Sequence, residues 1–247
     1  MATSNSRQQR PNYGIDAPKL VLCFLLIGVG SCGLALALAC CSFVWRQFLI
    51  WPTGSVGAVF LLEAGVMFWG SKAGKLRFRD KLIASIPWRG DERVLDVGCG
   101  HGLMLIGAAK RLRTGRAFGL DLWQKEDQAG NSREATWQNV MAENVSSRVE
   151  LRDGDARQMP FANDEFDVVL SSWALHNIYD RAGRDAAMRE VARVLKPGGR
   201  MIIVDIRHVR EYAEVLRQAG HCDIRVSGPN LLFVIPTLTL TANKSLS

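Results

Sequence analysis

Three glycines spaced two residues apart stand between two apolar segments, with acidic residues close by. The stretch reads Val94-Leu95-Asp96-Val97-Gly98-Cys99-Gly100-His101-Gly102. Its first residues predict a buried strand, and the apolar pattern from Leu103 onward predicts a helix. A glycine turn between a strand and a helix brings bare backbone amides next to a ligand. Asp96, near the end of the strand, is placed to neutralise or hydrogen-bond a cationic group of that ligand.

A second acidic residue ends the next predicted strand, which runs Arg116-Ala117-Phe118-Gly119-Leu120-Asp121. It lies about 20 residues after the glycines, a separation typical of dinucleotide-binding sheets. In a doubly wound sheet an acid at this position lies over the crevice where the strand order reverses, and it can accept both hydroxyls of a ribose. The two stretches together predict a ligand that contains a nucleoside.

The glycine spacing separates two enzyme classes, although a plain tight turn before a helix satisfies it as well. A dehydrogenase fingerprint needs the pattern G-x-G-x-x-G, and its third glycine position is Leu103 here. The glycines fall at 98, 100 and 102 instead. That spacing resembles the first motif of class I S-adenosylmethionine-dependent methyltransferases, acid-x-G-x-G-x-G. It favours a methyltransferase over a nicotinamide enzyme.

The later motifs resemble those of the small-molecule, type 11-like branch of that family, in the same order. They are Gly154-Asp155-Ala156 after the third strand, residues 161–169 leading into the fourth, residues 171–177 after it, and residues 195–200 before the fifth. Together they cover nearly all of residues 94–205. The resemblance implies that the chain binds S-adenosyl-L-methionine and transfers its methyl group.

The resemblance also implies a role for each residue of the cofactor site. Asp96 and the amides of Gly98, Cys99, Gly100 and Gly102 are expected to hold the methionine end of the cofactor. Asp121 is expected to bind the ribose hydroxyls with Leu122 against the adenine, Asp155 and Ala156 to meet the adenine edge, and Ser171 and Ser172 to line the floor beside the sulfonium. No C-x-x-C pair occurs among the six cysteines, so we expect no metal site.

Histidines near the carboxyl ends of the strands are the candidate proton acceptors. The sulfonium already makes the methyl group electrophilic, so the protein has to align the nucleophile, exclude water and, for some acceptors, remove a proton. His176 follows the fourth strand at the crevice and is the first candidate base, although a structural histidine fits the same position. His208, after the fifth strand, is the second. His101 is expected to cap the glycine turn or to face solvent.

Strands and helices alternate from Val94 onward. The last two predicted strands, near residues 224–227 and 237–242, have only a short connection, which is typical of an antiparallel pair at an edge. The pattern predicts an α/β fold with a doubly wound, mostly parallel, seven-stranded sheet, the Rossmann-like methyltransferase fold. Residues 123–132 are interpreted as a lid or a surface loop, and residues 231–236 as an acceptor wall or as sheet packing.

Two long apolar runs, residues 20–45 and 48–69, precede this domain. At about 1.5 Å per residue, each is long enough to cross a hydrocarbon core of roughly 30 Å. We interpret residues 19–70 as a transmembrane helical hairpin, with a buried core hairpin of a soluble protein as the alternative. Small residues four apart would let the two helices approach closely. They are Gly28 with Cys32, Gly33 with Ala37, and Gly54 with Ala58.

The charges around the hairpin predict its orientation. Basic residues precede the first run and follow the second, whereas the connecting loop holds only Arg46. The positive-inside rule therefore places both ends and the catalytic domain in the cytoplasm. Residues 1–18 are predicted to be a disordered tail. Glu63 interrupts the second run. An acid within a membrane segment can belong to a functional site, or it can lie neutral between the helices or near the membrane interface, and the sequence leaves these alternatives open.

Basic residues concentrate just after the second apolar run, in a chain of net charge +7. We interpret residues 71–93 as a basic amphipathic connector ahead of a methyltransferase domain of residues 94–247. At about 1 kcal/mol per basic residue near an anionic surface, the connector would hold that domain against the bilayer. The position of the charge favours a lipid partner over nucleic acid. The basic residues of its first part are Lys72, Lys75, Arg77, Arg79 and Lys81.

The expected function is that of a membrane-anchored methyltransferase. The segment Ser171-Ser172-Trp173-Ala174 stands where amino-methylating nucleic-acid enzymes have an Asn/Asp-Pro-Pro-aromatic motif, and the three-cysteine pattern of arsenite methyltransferases is missing. An O-, C- or N-nucleophile on a small, lipophilic acceptor remains. The alternative is a catalytically silent, cofactor-binding membrane scaffold protein. The sequence leaves the oligomeric state open.

Overall fold

The computed structural model describes residues 10–124, 130–230 and 235–246, and the chain divides into two compact units. The first unit comprises Met1–Gly14, Leu76–Asn230 and Pro236–Ser247, and the second comprises Ile15–Lys75 and Leu231–Ile235. The predictions for residues 125–129 and 231–234 lie outside the described residues. The boundaries of the units along the chain fall near residues 15 and 75.

The second unit contains a helical hairpin formed by α1 (Pro18–Cys40) and α2 (Arg46–Trp69). A side chain at Gly57 would begin 2.5 Å from Cys32 Sγ, and one at Gly28 would begin 2.7 Å from Leu61 Cγ. Small residues at these positions therefore permit the close contact of the helices. Gly28 and Cys32 confirm the sequence prediction. Gly33 does not, because none of the described atoms lies within 4 Å of where its side chain would begin.

The outward faces of the hairpin are apolar and exposed. Leu26, Leu36 and Leu62 are 64%, 70% and 68% exposed, respectively. Only 11% of the most apolar window of each long helix is buried. By length and composition both helices are able to cross a membrane, a test that some soluble core helices and N-terminal signal sequences also pass. Such core helices are mostly buried, which these two are not. Glu63 is half-buried.

The predicted connector, residues 71–93, is partly helical. A π-helical turn, Gly70–Gly74, follows α2, and α3 spans Lys75–Ala84. Lys75 and Arg79 are 5% and 6% exposed, and each pairs with an aspartate. The prediction that the basic cluster faces a membrane is wrong for these two, because they are buried. The exposed members of the cluster are Lys72, Arg77 and Lys81.

The segment ahead of α1 is ordered from Asn12. The backbone N–H of Asn12 donates to Asn139 at 2.7 Å, and the hydroxyl of Tyr13 donates to Glu143 at 3.0 Å. The helix α1 begins at Pro18. The predicted disordered tail of residues 1–18 is therefore wrong from Asn12 onward, and its first nine residues lie outside the described part.

A seven-stranded sheet forms the centre of the first unit. Its strands are β1 (Arg93–Val97), β2 (Arg116–Asp121), β3 (Val149–Asp153), β4 (Phe166–Ser172), β5 (Leu195–Asp205), β6 (His221–Asn230) and β7 (Thr237–Lys244). The strand order is β3-β2-β1-β4-β5-β7-β6. Strands β1 to β5 pair in parallel, and β7 runs antiparallel to β5 and β6. The predicted mostly parallel sheet with an antiparallel edge pair is confirmed.

Helices connect the parallel strands and cover both faces of the sheet. They are α4 (Leu103–Ala109), α5 (Arg133–Ala142), α6 (Arg181–Val194) and α7 (Val209–Gln218). Ser132 caps α5, since its hydroxyl oxygen accepts the N–H of Ala135 at 3.1 Å. Val94 and Leu95, adjacent in β1, belong to different hydrophobic clusters because successive strand residues face opposite sides.

Strand β5 begins earlier than the sequence predicts. The segment Lys196-Pro197-Gly198-Gly199 is expected to form a turn before a strand from Arg200. In the structure Leu195 already pairs with Phe166, and the pairing shifts register before Val168. This irregularity accommodates the proline and glycines within the strand.

The carboxyl ends of the central strands meet at one edge of the sheet. Val97 of β1 lies beside Leu120 of β2 and Ser171 of β4, and Ser172 lies beside Val204 of β5. The chain order reverses between β1 and β4, and a crevice that binds ligands forms at such a switch point. The topology therefore brings the glycine turn, Asp121 and the loops after β4 and β5 together.

Candidate functional site

The glycine turn, residues 98–102, connects β1 to α4. Gly98, Gly100 and Gly102 have φ angles of 68°, 49° and 82°, in the left-handed region that favours glycine. A side chain at Gly98 would begin 2.2 Å from the Cβ of Ala174. Glycine at this position therefore permits both the backbone conformation and the close approach of the loop after β4.

The backbone amides of the turn already have protein acceptors. Gly98 and Cys99 donate to the carbonyl of Leu120 at 2.8 and 3.2 Å, Gly100 donates to Asp121 Oδ2 at 2.8 Å, and Gly102 donates to the carbonyl of Cys99 at 2.8 Å. The sequence-based expectation that these four amides are bare is therefore wrong. Hydrogen bonds to Leu120 and Asp121 fix the turn against β2. The three glycines have no side chains, so a ligand can approach the backbone of the turn closely.

Asp96 is buried beneath the turn and is 1% exposed. Its Oδ2 accepts the backbone N–H of Leu105 at 2.8 Å. Burial, together with the negative charge of Asp121, raises the pKa of Asp96 to about 8 against the opposing hydrogen bond from Leu105. A cation beside Asp96 would lower that pKa again, because it stabilises the carboxylate.

Asp121, at the end of β2, holds the turn and the loop that follows it. Its Oδ2 accepts the N–H of Gly100, and its Oδ1 accepts the N–H of Trp123 at 2.7 Å. The side-chain amide of Asn131 donates to the same Oδ1 at 3.2 Å. Asn131 is 3% exposed and was not predicted to belong to the site. In the sequence it lies within residues 123–132, interpreted as a lid or a surface loop, and no local pattern indicates its contact with Asp121.

Three buried polar atoms around the turn have no hydrogen-bond partner among the described residues. They are Asp96 Oδ1, His101 Nε2 and Asn131 Oδ1. An unpaired buried polar group costs about 1–3 kcal/mol, so such atoms in native proteins indicate a bound ligand or water. The ammonium and ribose hydroxyls of S-adenosyl-L-methionine supply hydrogen-bond donors. The residues of the turn therefore fit this cofactor.

The expected adenine side of the site begins after β2 and β3. Leu122 is 49% exposed, as an apolar surface for a base requires. Asp155 already pairs with Arg157, whose Nη2 lies 2.6 Å from its Oδ2. The hydrogen bonds from the Arg157 side chain lower the pKa of Asp155. An adenine amine at Asp155 would therefore compete with or join this ion pair. Ala156 is half-buried.

The floor of the site is formed by β1 and β4. Ser171 is 1% exposed, and its hydroxyl donates to the carbonyl of Val97 at 2.9 Å. Its side chain therefore ties the two strands together. Ser172 is half-buried. Burial raises the pKa of the Cys99 thiol well above its ordinary value, so this cysteine lacks the thiolate character of a nucleophile.

His176 lies in a short 3₁₀ turn after β4 and is paired with Asp205, the last residue of β5. Its Nδ1 lies 2.5 Å from Asp205 Oδ1, and its backbone N–H donates to Asp205 Oδ2 at 3.1 Å. Tyr212 of α7 donates its hydroxyl to the same Oδ2 at 3.3 Å. The side chain of Asp205 is 1% exposed and that of His176 is 16% exposed. A buried carboxylate thus orients an accessible imidazole, the arrangement of a general base.

His208, the second candidate base, and His101 have different surroundings. His208 Nδ1 lies 3.0 Å from Glu211 Oε1, so it pairs with a residue of the helix that it precedes. His101 is 8% exposed, and its Nδ1 lies 3.1 Å from the carbonyl of Asn12. The alternative that His101 faces solvent is therefore wrong. Asp205 was missed, although its position after an apolar strand is the same signal that identified Asp96 and Asp121.

The fold and site first define a class of protein. The sheet order, with β7 inserted antiparallel between β5 and β6, and the acid-ended strands around a glycine turn form the Rossmann-like methyltransferase fold. A solved S-adenosylmethionine-dependent methyltransferase from Aquifex aeolicus matches it with a TM-score of 0.54 at 18% identity. The match covers 73% of this chain and 97% of that one, and at this identity it supports the fold alone.

The sequence comparisons then identify a domain. Residues 95–203 match the family described as a methyltransferase domain. The chain is 31% identical over 146 residues to the 27-O-demethylrifamycin SV methyltransferase of Amycolatopsis mediterranei, covering 56% of this chain and 49% of that protein. It is 34% identical over 129 residues to a demethylmenaquinone methyltransferase of Lactiplantibacillus plantarum, covering 52% and 51%. The chain thus spans about half the length of these relatives. Residues 95–203 therefore form a methyltransferase domain, and S-adenosyl-L-methionine is the cofactor of that domain.

Proposed function

We propose that this protein is a membrane-anchored methyltransferase that acts on a small, lipophilic acceptor, with His176 as its general base. The observation that carries the catalytic part is the pairing of His176 with the buried Asp205 beside the switch point. Ala174, two residues before His176, packs on the backbone of Gly98. The loop that holds the base therefore contacts the turn that holds the cofactor.

The chemistry of His176 follows from its pairing. A carboxylate only accepts hydrogen bonds, so Nδ1 of the neutral ring carries the proton and Nε2 keeps its lone pair. When bound, S-adenosyl-L-methionine supplies an electrophilic methyl group on a positively charged sulfur. Nε2 takes the proton of the O-, C- or N-nucleophile as the acceptor attacks, and Asp205 stabilises the imidazolium that results.

The cofactor contacts are part of the same proposal. Asp96 Oδ1 accepts from the ammonium of the methionine end, over the backbone of the glycine turn. Asp121 accepts from the ribose, and Leu122 packs against the adenine. Asp155 and Ala156 meet the edge of the base. Ser171 acts through the strand contact that it makes rather than through a free hydroxyl.

Two observations support the membrane and the lipophilic acceptor. The outward faces of α1 and α2 expose large apolar side chains, which water solvates poorly and lipid accommodates. One relative is named for demethylmenaquinone, and a quinone is a small lipophilic acceptor. We therefore propose that the hairpin anchors the enzyme in the bilayer, with the catalytic unit on the cytoplasmic side.

The test uses the full chain, purified in detergent and mixed with methyl-labelled cofactor and a membrane lipid extract. We expect label in a lipid-phase product, lost in His176→Gln and retained in the matched control His208→Gln, with both variants binding S-adenosylhomocysteine normally. Label confined to water-soluble products would contradict the lipophilic acceptor. Cofactor binding without turnover on any extract would favour the silent scaffold protein. Recovery of the chain in the supernatant of a detergent-free lysate after ultracentrifugation would contradict the anchor.

A further inference from the structure

Residues 12 and 13, ahead of the hairpin, lie against the glycine turn and form a segment that we name the strap. We infer that the strap and one face of α5 hold the turn in its cofactor-binding conformation, with Asn139 as the positioning residue. The inference rests on the proposed function in one respect, that the glycine turn binds the cofactor. Asn139, Thr136 and the strap take no part in the chemistry described above.

Asn139 links the strap to the turn through its side-chain amide. Its Oδ1 accepts the N–H of Asn12 at 2.7 Å, and its Nδ2 donates to the carbonyl of the same residue at 2.9 Å. The same Nδ2 donates to the carbonyl of His101 at 2.9 Å. Asn139 is 4% exposed. The Asn139 side chain thus pairs with both the N–H and the carbonyl of Asn12, and it binds the turn at the same time. A leucine at this position could make none of these hydrogen bonds.

Three residues on one face of α5 and just after it share this task. Thr136, Asn139 and Glu143 are separated by three and four positions, so they lie on the same side of the helix. The hydroxyl of Thr136 donates to the carbonyl of Gly100 at 2.5 Å. Two successive carbonyls of the turn, those of Gly100 and His101, are therefore held by adjacent turns of one helix.

The far end of the strap is anchored by Tyr13, which is 7% exposed. Its hydroxyl donates to Glu143 Oε1 at 3.0 Å, and the guanidinium of Arg79 lies 5.9 Å from its ring centroid. Burial, and next the charge of Glu143, raise the pKa of the tyrosine, so its hydroxyl stays protonated and donates. The carbonyl oxygen of Asn12 also lies 3.1 Å from Nδ1 of His101, within hydrogen-bond distance. The strap therefore contacts the turn directly, through the side chain of His101, as well as through Asn139.

These contacts matter because the turn has three glycines with left-handed backbone angles. An unrestrained glycine segment has many alternative conformations. A binding site that is already ordered before its ligand arrives binds more tightly, because less conformational entropy is lost on binding. Closing the strap should therefore strengthen cofactor binding. By thermodynamic reciprocity, the cofactor should stabilise the closed strap by the same factor.

The experiment measures both sides of this coupling in the full chain in detergent. Titration calorimetry gives the Kd for S-adenosylhomocysteine, and hydrogen–deuterium exchange follows peptides that contain Asn12, with and without that ligand. We expect Asn139→Leu to weaken binding about tenfold, the loss of one to two net hydrogen bonds. The matched control Gln138→Leu, on the exposed face of α5, should bind normally. Tyr13→Phe should weaken binding about threefold, because one hydrogen bond is lost.

The wild-type chain decides the question if Asn139→Leu fails to fold. We expect the ligand to slow exchange of the strap amides in the wild-type chain about tenfold, the factor by which the closed strap should strengthen binding. A purely structural role would lower the thermal midpoint of the variant while leaving the ligand affinity of the folded protein unchanged. That result, or strap exchange that ignores the ligand, would overturn the inference. Failure of the wild-type chain to bind S-adenosylhomocysteine would instead contradict the proposed cofactor site.

Discussion

Cofactor binding should release a proton from Asp96. Its pKa is raised to about 8 by burial and by Asp121, so the carboxyl is mostly protonated in the free protein at neutral pH. If Asp96 binds the ammonium of the methionine end, the cation lowers that pKa and expels the proton. Asp96→Asn removes the titrating group but keeps an oxygen that can accept from Leu105.

The size of the effect follows from the pKa. With a pKa of about 8, Asp96 is about 90% protonated at pH 7, so binding should release about 0.9 proton there. Between pH 6 and pH 8 the ionised fraction rises about 50-fold, and the affinity for S-adenosylhomocysteine should rise by up to that factor. For folding the sign is the opposite. A carboxyl whose pKa is raised by folding stabilises the free protein most at low pH, and that contribution is lost as the pH rises from 3.8 through about 8.

Calorimetry in two buffers of different ionisation enthalpy at pH 7 counts the released protons. Other groups of the protein and ligand titrate in this range, so the decisive quantity is the difference between the wild-type chain and Asp96→Asn. We expect a difference of about 0.9 proton and a flatter pH profile of affinity in the variant. Equal proton release in the two chains, or a wild-type affinity that falls as the pH rises, would refute the assigned role of Asp96.

Three further predictions concern the turn, the base and the hairpin. Gly98→Ala should weaken S-adenosylhomocysteine binding at least tenfold, because the left-handed backbone alone costs about 1–2 kcal/mol in a residue with a side chain. A wild-type Kd measured by calorimetry would contradict this prediction. Asp205→Asn should lower the rate of methyl transfer to a membrane extract about 10²- to 10⁴-fold, as expected when the base His176 is no longer held in the right tautomer; an unchanged rate would remove Asp205 from the mechanism. Gly57→Leu should lower the thermal midpoint of the detergent-solubilised chain. Gly65→Leu should not, because none of the described atoms lies within 4 Å of the side-chain position at Gly65. Equal midpoints for the two variants would contradict the close packing of α1 and α2.

Much of the catalytic fold could be predicted because its signals are local. The apolar strand before each acid and the glycines after Asp96 identify successive strands and turns within about ten residues. The sheet order then follows from the resemblance to a known family. The early start of β5 could not be predicted, because Pro197 and two glycines normally end a strand. Here a shift in the register of pairing with β4 accommodates them.

The site was only partly predictable, since several of its contacts join residues far apart in the chain. Asn12 and Asn139, which hydrogen-bond to each other, are 127 positions apart, and polar residues near the first apolar run carry no local signal of such a contact. Asn131 donates to Asp121 across ten positions of the chain, and no local pattern indicates that contact. The burial of Lys75 and Arg79 could not be predicted for a related reason. A helix rich in basic residues is expected at the surface unless its acidic partners are known, and the sequence does not identify Asp16 and Asp80 as those partners.

The hydrogen bonds of three acids explain why similar residues at the same edge of the sheet have different roles. A carboxylate has about four acceptor positions. Among the described residues, Asp96 accepts one hydrogen bond, from the amide of Leu105, and Asp121 accepts three. Asp205 uses four, for the N–H and ring of His176, the N–H of Ile206 and the hydroxyl of Tyr212.

An acid with unfilled acceptor positions in a buried place is suited to bind a donor that arrives from outside the chain, because that donor satisfies it. Asp96 therefore suits a cationic ligand. Asp121 has room for about one ribose hydroxyl while it keeps the turn in place, rather than the two that the sequence suggests. Asp205 has no acceptor position left for a ligand, so its carboxylate serves to fix His176. The same residue type thus binds cofactor at one strand end and positions the base at another, and what separates the roles is how many acceptor positions the protein itself has filled.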